Sequence, residues 1–313
     1  MFPPRTGQQY HLVFGRYSAT VTEQGAALRS LALDGKDIIV PFDEDDIPNC
    51  CRGQLLIPFP NRIEDGEYEF EGTQYVLPID EHERHNAIHG YGYRAYWTRL
   101  ARTDNSVSLQ WRAPALEGYP FDVVVTADYR LDEYGLSLTL SALNNGSTDA
   151  PWAAAMHPWL ANGRHSTGDA IEQDNAECHL RVQADTHVVA DDRLLPRGTE
   201  PVDGTIYDLR DNPTLEGRPF DDAWTDLHHD EDGNASAVFT RPDGMTITVS
   251  GGTTITSFQV CTGTGFPEAI RPQGVAVEPQ TAYANAFRSG KDLIVIKPGD
   301  TSVTSIRISA EQR

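Results

Sequence analysis

Lysine is nearly absent from this 313-residue chain: Lys36, Lys291 and Lys297 stand against twenty-two arginines. Acidic residues outnumber both together and leave a formal net charge of −21. Such a balance repels phosphate backbones and anionic lipid surfaces, so neither nucleic acid nor membrane is an expected partner. No stretch approaches the ~18 consecutive apolar residues that cross a bilayer. Cysteine is scarce as well. Cys50, Cys51, Cys178 and Cys261 contain no Cys-x-x-Cys pair. Adjacent Cys50 and Cys51 cannot easily bond to each other, so a reduced chain is expected. The opening MFPPRTGQQYHLVF has no apolar core of signal-peptide length, and the expectation is a cytoplasmic protein. Gly-x-Ser-x-Gly and Gly-rich phosphate loops are missing; the GTG at 263–265 runs on into Phe-Pro. A nucleophile-elbow hydrolase and a nucleotide enzyme are thereby disfavoured.

Helical periodicity over ten or more residues is also lacking. In its place come short β-branched and aromatic runs such as HLVFG, VSLQWRA, FDVVVTADYRL, LSLTLSAL, TITSFQV, GVAVEP, DLIVI and SVTSIRI. LRSLALDGKDIIV alternates, breaks at Asp34-Gly35 and resumes, and YEFEGTQYVL breaks at Glu71-Gly72 in the same way. Both read as hairpins, as does AVFTRPDGMTITV around Pro242-Asp243-Gly244. More than a dozen such strands predict an all-β fold, a large antiparallel sandwich. No low-complexity linker or repeat divides the chain, so residues 1–313 read as one domain.

His82, His85 and His89 give His-x-x-His-x-x-x-His, but Pro78 and Gly90 bracket them and no helix gathers their rings on one face. No metal is expected there, and Glu81, Glu83 and Arg84 give the segment the look of an exposed loop. His89 itself opens an aromatic stretch, NAIHGYGYRAYW. Tyr91, Tyr93, Tyr96 and Trp97 suit either a sandwich core or an apolar floor for a ligand.

Two further positions share a local pattern. His157 closes the run AAAMHPWL before Pro158, and Glu278 closes GVAVEPQT before Pro279. Proline extends the residue before it and removes the next ladder donor, so each titratable group is expected at a strand end, beside a cleft. In GVAVEP, Val275 and Val277 face one way, Ala276 and Glu278 the other. Arg62, in PFPNRI, sits in a third proline-bounded motif.

Taken in order, PFPNRIEDGEYEFEGTQYVLP, NAIHGYGYRAYW, NNGSTDAPWAAAMHPWL and AVEPQTAYANAF resemble the aldose 1-epimerases, also called galactose mutarotases. Weaker likeness runs from GAALRSLALDGKDIIV to GYPFDVVVTADYRL. The resemblance implies a β-sandwich of the galactose mutarotase type that uses no metal or organic cofactor. It further implies interconversion of the α and β anomers of a free sugar by a monomer or homodimer. By position, Glu278 matches the family's general base and His157 its general acid. Asn61, Arg62, His89, Asp221 and Gln259 match its sugar-binding residues. The pattern is broken at Cys261, where an aromatic is usual, at Trp159-Leu160, where Tyr-Phe is usual, and at Asn285, where aspartate is common. Asp222 follows Asp221, so either aspartate can fill that role.

The chemistry calls for these types. Ring opening removes the O1 proton and protonates O5; closure reverses both. A carboxylate and an imidazole can serve, since histidine titrates near neutral pH. His89 and Arg62 would add hydrogen bonds and positive charge where charge builds on oxygen. Three other readings remain at this stage. A mutarotase for a sulfonated or phosphorylated sugar would draw on Arg94, Arg164 and the altered Trp159. A glycoside hydrolase would use Glu278 with Asp221 and leave His157 without work. A non-catalytic sugar-binding protein has no need of the acid–base pair.

Overall fold

The computed structural model describes residues 3–46 and 48–312. Strands make up 48% of it and helices 6%. Two eight-stranded antiparallel sheets carry the fold. The first runs in the order Thr98–Arg102, Ser106–Arg112, Val123–Asp132, Gly135–Asn144, Thr301–Gln312, Met245–Gly251, Ala235–Thr240, His179–Val182. The second runs Pro196–Pro201, Ala184–Ala190, Asp221–Leu227, Ser257–Cys261, Gly274–Gln280, Ala155–Met156, Leu55–Leu56, with Trp159–Ala161 also on Gly274–Gln280. A four-stranded sheet from Gln9 to Asp37 and three two-stranded ribbons complete it.

The period-two pattern explains how the sheets meet. Val123, Val125, Ala127, Tyr129 and Leu131 are all buried, as are Leu136, Leu138, Leu140 and Ala142 on the neighbouring strand. From the second sheet, Trp224, Phe258, Val260, Val275 and Val277 enter the same apolar cluster. The core is therefore the layer between the two sheets, as in other sandwiches.

The hairpins form where the turn residues predict them. Asp34 and Gly35 have φ of 50° and 77°, Glu71 and Gly72 of 49° and 77°; two successive positive values are the signature of a tight hairpin turn. After the first turn the strand is shorter than the sequence implies. It covers only Lys36–Asp37, and Ile39 then makes a single bridge to Leu160. The chain turns inward there to bury Ile38, Ile39 and Val40. No helix of the described residues is long and apolar enough to cross a membrane. All four cysteines are free thiols.

Candidate active site

The strand Gly274–Gln280 organises the site. Val275 and Val277 enter the main core, while Ala276 packs on the opposite face with Val40, Trp159, Ala161 and Cys261. Glu278 shares that second face, as alternation requires. One expectation needs correcting: Glu278 is not at a strand end. The strand continues through Pro279 to Gln280, and Glu278 pairs with Gln259 across the ladder. The interruption lies in the neighbour instead. Ala155 pairs with Gln280 and Trp159 with Ala276. The shared register sets His157 opposite Glu278, where the break at His157-Pro158 leaves Pro279 with no ladder donor to supply.

The two side chains meet there. His157 Nε2 lies 3.1 Å from Glu278 Oε1, and the side chains are 9% and 3% exposed. Glu278 Oε2 accepts from Gln280 Nε2 at 3.1 Å. The His157 backbone is fastened on both sides, donating to Gln54 O and accepting from Gly53 N. His157 Nδ1 is buried without a hydrogen-bond partner, so the ring's polar contact in the described structure is to Glu278. Burial pushes the Glu278 carboxyl up, Asp221 adds to the push, and Gln280 and Arg62 oppose it. Burial pushes the His157 imidazole down. Two desolvated groups in contact share a proton more readily than they separate charge, and they titrate as a unit.

His89 faces His157 edge-on, ring centroids 5.8 Å apart. Its Nδ1 accepts the Asn61 backbone N–H at 3.1 Å, so the ring proton of the neutral form sits on Nε2. Burial first, then His157, Arg62 and Arg94, push its imidazole well down. His89 is therefore a neutral hydrogen-bond donor, not the positive charge anticipated from sequence. Asn61 and His89 both hold left-handed backbone, φ 54° and 62°, at the end of the ribbon that pairs Arg62–Glu64 with Asn86–Ile88. Gly90 is required next to them: its φ is +67°, and a Cβ would fall 2.1 Å from Ile57 O.

The remaining predicted residues form a directed chain of hydrogen bonds. Arg62 Nη1 donates to Asn61 Oδ1 (3.2 Å). Asn61 Nδ2 donates to Gln259 Oε1 (3.2 Å), and Gln259 Nε2 to Asp221 Oδ1 (2.9 Å). Each amide thus has its oxygen and nitrogen assigned by its neighbour. Asp221 is the aspartate of this face; Asp222 points to the other side and binds His187 Nε2 at 2.9 Å. Asn61, Arg62, Gln259 and Glu278 are buried, whereas His89 and Asp221 are half-buried.

Sequence reasoning missed the anchor of this chain. Glu81, read as part of an exposed loop, is 13% exposed and grips Arg62 with both oxygens, Nε to Oε2 at 2.9 Å and Nη2 to Oε1 at 3.0 Å. It also receives Arg84 and Asn86. Nothing in DEHERH distinguishes Glu81 from its solvated neighbours. Gln280, also missed, had a usable signal: it repeats the parity of Glu278 two residues on.

Other candidates disperse. His85 turns out to Asp65, and His82 is exposed, so the three spaced histidines do not converge. Trp97 is core, stacked on Trp111, and Tyr96 is 57% exposed. Tyr91 packs on Phe59. Trp159 is buried, with Nε1 on Cys50 O at 2.8 Å. Arg94 pairs with Asp80 and Arg164 with Glu177.

The aldose 1-epimerase family profile matches residues 8–309, and the chain belongs to that family. It is 30% identical over 304 residues to the uncharacterized protein YihR of Escherichia coli K12, covering 94% of this chain and 90% of that one. It is also 30% identical over 164 residues to rat galactose mutarotase, covering 50% and 45%. Among solved structures, the GalM/aldose epimerase homologue of Caenorhabditis elegans superposes with a TM-score of 0.82 at 20% identity, covering 97% and 99%. A galactose 1-epimerase of Lactobacillus acidophilus superposes at 0.78 and 19%, covering 96% and 93%. The fold is that of the galactose mutarotases, and the chain is an isomerase of the epimerase class.

Proposed function

We propose that this protein interconverts the α and β anomers of a free hexose, with Glu278 and His157 as its acid–base pair. The observation that carries the proposal is the 3.1 Å contact between these two buried groups. Ring opening asks the pair to accept one proton from O1 and give one to O5, and closure asks the reverse. The number of protons on the pair is the same before and after, so a pair holding one proton is the working state. In the tautomer that places this proton on His157, Glu278 as carboxylate takes the O1 proton and His157 supplies O5. The neutral Nε2–H of His89, whose ring lies edge-on to His157, suits a developing alkoxide without the cost of burying another cation. Asp221 and Gln259 present an acceptor and an amide to hydroxyls that both donate and accept. The relative named galactose mutarotase and the match to the aldose 1-epimerase family profile support the reaction type. A neutral sugar is favoured over a sulfonated or phosphorylated one, because Arg62 and Arg94 are each matched by a carboxylate, Glu81 and Asp80.

Polarimetry on freshly dissolved galactose, glucose and other aldoses tests the reading. The wild-type protein should accelerate approach to the equilibrium rotation for at least one of them. Folded protein that accelerates none would overturn it.

A further inference from the structure

A cavity of about 640 Å³ lies outside the acid–base cluster, and none of Asn61, Arg62, His89, His157, Asp221, Gln259 and Glu278 lines it. Its wall carries Lys36, Arg52, Arg164, His165, Arg241 and Arg271. In a chain of net charge −21 with three lysines, this concentration of cations runs against the composition.

Not all of them are free to act. Arg241 is locked: Nε donates to Asp243, and Nη1 to Asp37 O at 2.7 Å. Arg271 is spent on Phe266 O, Gly168 O, Asp169 and Glu172. These two build the wall. Gly163, at φ +78°, closes over Arg241 so tightly that a Cβ would sit 2.5 Å from its guanidinium.

Of the other four basic residues, Lys36, Arg52 and Arg164 are under-used. The Arg52 guanidinium donates to two carbonyls, Asn49 O and Pro41 O, and has no carboxylate in ion-pair range among the described residues. Lys36 Nζ meets the neutral Gln312 Oε1 at 3.0 Å. Arg164 reaches Glu177 at 3.5 Å, with both side chains about half exposed. They come from three separate stretches of chain and face one space. Asp37 and Asp243 are the carboxylates of the lining; Arg241 pairs with Asp243 and Lys36 acts on it as well, while burial pushes the Asp37 carboxyl up against the pull of His165 and Arg241. Val40, Pro41, Ala161 and Pro272 supply an apolar side.

We propose that this cavity is a second binding site, for a small phosphate ester. Lys36, Arg52 and Arg164 hold its phosphate, and the apolar side covers its organic part. Cations approaching from several directions suit a multi-oxygen anion better than a planar carboxylate. The volume exceeds what a bare oxyanion fills. The site adjoins the catalytic one through backbone. Arg52 lines the cavity, and Gly53 and Gln54, next in sequence, hold the backbone of His157. The Val40–Trp159–Ala161 cluster separates the two.

Calorimetric titration with inorganic phosphate and with glycerol 3-phosphate, at constant ionic strength in chloride, tests the proposal. Both should bind, the ester more tightly. Lys36→Gln and Arg164→Gln should each weaken binding by roughly tenfold while leaving the sugar reaction unchanged. Saturating aldose should leave binding intact. Absence of binding above chloride, or binding indifferent to both substitutions, would overturn the site. Affinity for the ester no greater than for phosphate would overturn the ester assignment. Competition with the aldose would show one continuous substrate cleft instead. The titration reads binding directly, so it stands or falls apart from the mutarotase reading.

Discussion

The two large sheets obey different burial rules. In the first, Val123–Asp132 alternates buried and accessible residues along its length, and Gly135–Asn144 does the same from Leu136 on. One face meets the core and the other meets water. In the second, all seven residues of Gly274–Gln280 and all five of Ser257–Cys261 are buried. The face turned from the core carries Gln259, Glu278 and Gln280. Burying polar groups costs free energy unless they find partners. Here they find one another, and Gln280 Oε1 and His157 Nδ1 still lack any. The first sheet is built for stability. The second gives up stability on one face to hold a desolvated carboxyl–imidazole pair.

The difference between the sheets is greatest at Glu278 and His157. Glu278→Gln and His157→Asn should each lower kcat by roughly 10²–10⁴-fold, read by polarimetry or by NMR magnetisation transfer between anomers. Sugar binding by Glu278→Gln should persist. Full turnover in either variant would remove that residue from the chemistry. Next in size is Glu81→Gln. It leaves Arg62 buried without its counter-charge, at a cost of roughly 3–5 kcal/mol in denaturant unfolding. Because Arg62 orients Asn61, and through it Gln259 and Asp221, kcat/KM should fall too. A stability loss with unaltered kcat/KM would refute the relay. Leu138→Ala, on the first sheet's inner face, is the counterpart. Cavity formation should cost roughly 2–5 kcal/mol, yet kcat/KM of the folded protein should not change.

The pH profile sharpens the same contrast. The proposed mechanism needs one proton on the pair. In acid the pair gains a second and loses its acceptor for O1; in base it loses its last and has none for O5. Burial pushes His157 down and Glu278 up. The two limits therefore move apart, and kcat should hold a plateau through neutral pH. The acid limb should fall below the ordinary imidazole value of 6.5. A sharp optimum between ordinary carboxyl and imidazole values would contradict a desolvated pair.

Much of this was legible beforehand, for identifiable reasons. Strands such as Val123–Asp132 betray themselves by period two, and Asp34-Gly35 by turn chemistry. The parity of Ala276 and Glu278 against Val275 and Val277 needed only alternation. The strand break could not be assigned: proline follows both His157 and Glu278, and only the register shows that one strand stops while the other runs on. The sign of His89 was misread because its charge depends on a backbone N–H from Asn61, which folding brings to Nδ1. Glu81 was invisible because its burial depends on Arg62, nineteen residues away.

The smallest expected effect bears most directly on the cost of function. Glu278 is a carboxyl whose folded pKa is raised above its unfolded value. Its contribution to stability is complete below the unfolded value of 4.5. It is lost progressively as pH rises through the folded value, because the unfolded chain ionises freely and the buried group resists. Glutamine mimics the protonated form at every pH. Glu278→Gln should therefore match wild type in melting temperature near pH 4 and exceed it by roughly a few degrees at pH 8. The gap should widen as pH rises between those points. An inactive variant that gains stability only where the carboxyl would ionise would show the second sheet trading stability for chemistry. A variant no more stable than wild type at pH 8 would mean that His157 already compensates the Glu278 charge in full, and the stability difference between the two sheets would not arise from this residue.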